Sequence, residues 1–81
     1  MNYTQLQLLL QNDELHYISD DNGSSTPETI QQHTDILNQP PTFILYEYTI
    51  HDFTHTRNTL RHNNIKHSVY TDQYDMDYIM I

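Results

Sequence analysis

The sequence predicts a single small α+β domain spanning residues 1–81: a two-layer fold with about three helices on a mixed sheet of three or four strands. Three observations carry this expectation. At 81 residues the chain is long enough for one modest core. Its N-terminal half shows apolar spacing and breakers typical of helices. Residues 42–71 read as strand, helix, strand, and a β-rich tail follows.

Tyr3, Leu6, Leu9 and Leu10 follow the i, i+3, i+4, i+7 spacing of one helical face. Asn2 or Thr4 can cap this helix, each with a Gln three residues on, and the expected span is 3–13. Residues 14–19 fit either a continuation of the helix or a short strand. Asp20-Asp21-Asn22-Gly23-Ser24-Ser25 forms a loop, and Gly23 is the only glycine of the chain. Thr26-Pro27-Glu28-Thr29 is a helix start: a hydroxyl cap, a proline at the first helical position, and an acid near the positive end of the dipole. Ile30, Ile36 and Leu37 supply this helix with a weak apolar face, and Pro40-Pro41 ends it.

Residues 42–50 (TFILYEYTI) are β-branched or aromatic on both alternating faces, the pattern of a central strand covered on both sides. The next helix, expected at 51–63, turns Ile50, Phe53, Arg57 and Leu60 to one side. Asn63-Asn64 ends it, residues 66–71 form a strand, 72–75 a turn and 76–81 a last strand. The 42–71 unit is expected to be a right-handed βαβ crossover with parallel strands. Glu47 and Arg57 are expected to pair where that helix crosses the strand.

Charge is the main functional signal. Eleven acidic residues face three basic ones, Arg57, Arg61 and Lys66, for a formal charge of −8. Such a charge repels nucleic acid and anionic lipid and attracts basic surfaces, while also keeping a small protein in solution. Only 36% of residues are hydrophobic, but seven tyrosines and two phenylalanines argue for a folded domain with a thin core. A thin core leaves room for a homodimer. With no cysteine, disulfides and thiolate sites are excluded. The N-terminus lacks a basic signal-peptide region and no apolar run approaches a membrane span, so a cytoplasmic location is expected.

His51, His55 and His62 fall within about 40° of one another on the helix wheel, facing away from Phe53 and Leu60. His51 and His55 at i, i+4 can hold a metal, but Asp52 replaces the Glu of the zinc-protease helix and no third ligand is evident. The expectation is therefore no metal and no cofactor. An ordinary imidazole titrates near about pH 6.5, so acidification would move the charge from −8 toward −2 (six histidines) and weaken binding to a basic partner. No nucleophile elbow, Gly-rich phosphate loop or calcium loop is present, and no enzyme is expected.

The densest acidic stretch is Tyr70, Asp72, Tyr74, Asp75, Asp77 and Tyr78. In a strand over 75–81, Asp75 and Asp77 would share a face roughly 6.6 Å apart, near the phosphate spacing of a nucleic-acid strand. Tyrosines between carboxylates offer flat surfaces for stacking on arginine. The same charges would also protect an edge strand from aggregation. Asp20 and Asp21, with Asp13 and Glu14, can extend the surface. In size, charge and single-domain build the chain resembles the small acidic inhibitors that phages direct at host nucleic-acid-binding proteins, anti-CRISPR proteins and DNA mimics among them. That resemblance implies a non-enzymatic protein, acting in the host cytoplasm, that occupies the basic surface of a CRISPR-Cas or other DNA-processing complex without binding nucleic acid itself. The alternative is a small regulatory or assembly subunit that binds its partner through Tyr and Ile groups.

Overall fold

The computed structural model describes residues 2–81. Its elements run α1 (Tyr3–Leu9), β1 (His16–Tyr17), α2 (Pro27–Leu37), β2 (Phe43–Tyr46), α3 (Phe53–His62), β3 (Ser68–Thr71) and β4 (Asp77–Met80), with 3-10 turns after β1 and β2. Asn2, and not Thr4, caps α1, through a reciprocal box with Gln5. The helix ends four residues earlier than its periodicity predicts, because Leu10 leaves helical geometry and the chain turns to bring Asp13 inward. Residues 16–17 resolve the open choice in favour of a strand. Thr26 caps α2 as expected, and Asn38 closes it in the left-handed conformation that asparagine tolerates.

The sheet order is β1-β2-β4-β3, and every neighbouring pair is antiparallel. The expected mixed sheet with an adjacent βαβ unit is therefore not found. β2 and β3 do point the same way, since each is antiparallel to β4, but β4 lies between them and takes all their hydrogen bonds on that side. The tail supplies this central strand because it is the most apolar segment left: Tyr78, Ile79 and Met80 are all buried. The edge role assigned to 75–81 belongs instead to β3.

The expected two layers are also replaced. Alternation along β2 and β4 gives the sheet two apolar faces, and helices cover both. On one face, Leu6 and Leu10 from the α1 segment and Leu60 from α3 pack with Phe43, Leu45 and Ile79. On the other, Ile30 of α2 packs against Ile44, Tyr78 and Met80. Ile36 does not join this contact and is 71% exposed. It lies six residues from Ile30, about 240° around the wheel, whereas His33 lies three residues on and is buried in its place.

Candidate binding surface at the acidic end of the sheet

The strand directions bring one set of segments together at one end of the sheet: the chain after β2, the turn between β3 and β4, and the residues before β1. Asp72 organises the turn. Its Oδ1 accepts from the backbone N–H of Tyr74 at 2.8 Å and of Met76 at 3.0 Å, while Asp75 adopts a positive φ of 60°. The Thr71 hydroxyl donates to Asp77 at 2.6 Å, and the Asp77 N–H donates to Glu47 Oε2 at 3.0 Å. Glu47 is thus tied to β4 rather than to Arg57. The expected Glu47–Arg57 pair does not form, and the Arg57 Nε is buried without a partner. Among the described residues no Lys or Arg forms an ion pair; the single pair is His16 with Glu14, at 3.4 Å.

Three tyrosines share one register across the sheet, Tyr46 on β2, Tyr78 on β4 and Tyr70 on β3. Their rings touch in sequence, with centroids 6.4 Å and 5.8 Å apart. Tyr48 stacks on Tyr46 at 5.3 Å and is 69% exposed. Tyr74, at the tip of the turn, is 76% exposed. Five of the seven tyrosines therefore gather at this end.

Not every expected contact residue belongs to the surface. Tyr78 is 1% exposed and its hydroxyl donates to the Ser24 carbonyl at 2.7 Å, so it supports the surface and touches nothing outside. Burial, reinforced by the Asp21, Tyr70 and Asp72 charges and opposed by a contact from Thr29, raises the Tyr78 phenol above its ordinary value. Tyr70 is half-buried, with its hydroxyl unpartnered inside. Asp75 lies in the turn and not on the strand with Asp77, so the phosphate-like repeat of the two carboxylates is not formed. Asp21 lies in the 21–26 loop, where it accepts from the Ser25 N–H and hydroxyl and its charge acts on the Tyr78 phenol. Asp20 is exposed in the turn after β1, which leaves the sheet at the Thr42 end, and does not join the others. What remains open to a partner is Tyr48, Tyr74, Asp75 and Glu47, with Asp72 and Asp77 behind them.

The opposite end of the sheet differs in charge. There Lys66 lines an open cleft of about 570 Å³ with Leu6, Phe43 and Ile81, and no Asp or Glu lines it. His51, His55 and His62 face solvent as predicted. Among the described residues no group of three or more His, Asp or Glu side chains is disposed to hold a metal ion, so the His51–His55 pair has no third ligand. No described helix is long and apolar enough to cross a membrane.

Sequence reasoning missed three buried polar side chains, His33, Asp13 and Thr56, and Asp13 does not extend the acidic surface as expected. His33 is fully buried on α2, its Nδ1 2.5 Å from the Ser68 hydroxyl of β3 and its Nε2 unpartnered. Burial lowers its pKa below the ordinary 6.5, which sets it apart from an ordinary surface imidazole. Its spacing from Ile30 was the available signal. Asp13, 7% exposed, accepts from the His51 N–H at 2.8 Å and the Thr56 hydroxyl at 2.5 Å. Those partners lie 38 and 43 residues away, and no local pattern points to them.

No protein-family model, curated protein or solved structure matches this chain. Fold and surface together define a small α+β domain whose tyrosines and carboxylates converge at one end of an antiparallel sheet.

Proposed function

We propose that this protein is a non-enzymatic binding protein that uses its acidic, tyrosine-rich end to occupy the basic surface of a nucleic-acid-binding protein, and so inhibits it. The observation that supports this reading best is the separation of charge. Seven carboxylates (Asp13, Glu14, Glu47, Asp52, Asp72, Asp75, Asp77) belong to segments meeting at the tyrosine end, while Lys66 sits at the other. A cationic patch approaching this end meets attraction and flat rings on which guanidinium groups stack. The carboxylates act through net field and direct contact, without the regular spacing of a phosphate backbone. CRISPR-Cas complexes and other DNA-processing machines present basic surfaces of the required kind. The expected setting is the cytoplasm of a host cell.

The second reading, a regulatory or assembly subunit, draws on the exposure of Tyr48 and Tyr74. There the rings would supply the affinity and the charge only solubility. Salt separates the two. Capture of partners from host lysate on immobilised protein, at low and at high salt, should retain nucleic-acid-binding proteins at low salt and release them at high salt. Retention that is indifferent to salt would favour the regulatory subunit, and absence of such partners would end the inhibitor reading.

A further inference from the structure

The four-stranded sheet has two edges, β1 and β3, and only one of them is blunted. β1 is two residues long and passes at once into a 3-10 turn, which leaves little ladder to extend. β3 is twice as long, and its residues, Ser68, Val69, Tyr70 and Thr71, include no charge, proline or glycine. None of the devices that keep an edge strand from pairing is built into it.

Hydrogen-bond parity fixes which groups of β3 are open. The Asp72 N–H donates to the Met76 carbonyl, while the Asp77 and Ile81 N–H groups turn to the β2 side. Bonded and non-bonded pairs alternate along an antiparallel ladder. Ser68 and Tyr70 therefore turn their N–H and C=O groups toward β4, and His67, Val69 and Thr71 turn theirs outward. Among the described residues no backbone group bonds to that outward side. Opposite charges flank the open edge. Lys66 precedes it, exposed and without an ion pair. Asp72 follows it with Oδ2 unbonded, since both of its turn contacts use Oδ1. Ile65 and Val69 pack into the same core, so strand alternation carries through Lys66.

We propose that β3 pairs antiparallel with β3 of a second copy of this chain, across a two-fold axis at Val69, joining two four-stranded sheets into one. Only registers that set outward residues opposite outward residues can bond, and an axis at Val69 uses His67, Val69 and Thr71 of both copies. The same register sets Lys66 opposite Asp72 at two symmetric places, in non-bonded positions where side chains lie closest. An axis at Ser68 or Tyr70 keeps the parity but loses both charge pairs. A segment that is positive before its strand and negative after it is complementary to itself when reversed, which selects a second copy as the occupant. Antiparallel pairing sends the two acidic ends in opposite directions. The inference needs only β3 and its flanks, and it stands apart from the reading of the acidic end as a docking surface.

Sedimentation equilibrium of the full chain, over a wide range of concentration, tests this. A salt concentration of about 0.15 M screens the repulsion between two chains of charge −8. A reversible dimer is expected. Thr71→Pro removes an outward N–H at an exposed position and leaves the β4 ladder intact. It should abolish the dimer while thermal unfolding shows the chain still folded. Lys66→Glu sets like charges opposite each other at both places and should raise the dissociation constant by about tenfold or more. Adding Asp72→Asn, which keeps an oxygen for the turn, should recover part of that loss. Val69→Cys, in a chain with no other cysteine, should give a covalent dimer on oxidation because the two copies meet there, whereas Thr71→Cys should not. A monomer at every concentration, or a dimer untouched by Thr71→Pro and Lys66→Glu, would overturn the proposal. Cross-linking through Thr71→Cys in place of Val69→Cys would do the same. Protection of the β3 amides from hydrogen exchange only when another protein is bound would overturn it too, and would assign the edge to a strand of that protein.

Discussion

Two buried polar side chains set the behaviour of this fold at the residue scale. Asp13 joins the turn after α1 to the start of α3 by accepting two hydrogen bonds across the core boundary. Removing it strands both donors, so Asp13→Ala should cost about 1–3 kcal/mol in urea unfolding. Asp13→Asn should cost less, because the amide keeps one acceptor and the Thr56 hydroxyl can rotate to accept. His33 acts through pH. Its pKa is lowered by burial in the folded state, so above pH 6.5 both folded and unfolded chains carry it neutral. As pH falls below that value the unfolded chain takes up a proton that the folded chain refuses, and stability declines. Unfolding followed from about pH 7.5 to about pH 5.5 should show this loss, and His33→Gln should reduce it. An unchanged slope in the variant would place the acid sensitivity elsewhere.

At the scale of elements, β4 is the centre of the structure. It pairs on both sides and contributes Ile79 to one core and Tyr78 and Met80 to the other. Ile79→Ala should therefore cost about 2–5 kcal/mol, while Ile36→Ala on the open face of α2 should stay within about 0.5 kcal/mol. The turn before β4 offers a cleaner probe of charge. Asp75 sits at a positive φ that glycine adopts without strain, so Asp75→Gly should leave stability equal or slightly higher while removing one exposed carboxylate. Thermal unfolding of the variant checks the first half of that statement, and partner binding the second.

Local signals made much of this architecture legible in the sequence. The Thr26-Pro27 start of α2, the breaker after it, the two-faced apolar run of β2 and the solvent face of α3 all sit within a few residues of their causes. Strand order is a different matter. The pattern over 42–71 fits an adjacent βαβ unit as well as a split one, and the choice is made by the tail, whose apolar residues need cover on both sides. Glu47 likewise had one expected partner, Arg57. The backbone N–H of Asp77, thirty residues away, took the place expected for Arg57. The acidic stretch 70–78 was visible as composition, but its turn geometry, which separates Asp75 from Asp77 and buries Tyr78, depends on the sheet around it.

Viewed as a whole molecule, the chain is polarised. Seven of the eleven carboxylates and five of the seven tyrosines belong to segments meeting where β2 ends and β4 begins, while Lys66 lies at the far end. In the proposed reading, a formal charge of −8 would steer the approach of a basic partner and the exposed rings of Tyr48 and Tyr74 would complete the contact. The most direct measurement is capture of host nucleic-acid-binding proteins by the wild-type chain and by a variant carrying Tyr48→Ala, Tyr74→Ala and Asp75→Gly, at low and high salt. The three sites lie on the surface, so the variant should fold. The predicted result is capture by the wild type at low salt, release at high salt, and loss of capture by the variant at both. Capture that ignores both salt and the three substitutions would contradict a docking surface at the acidic end.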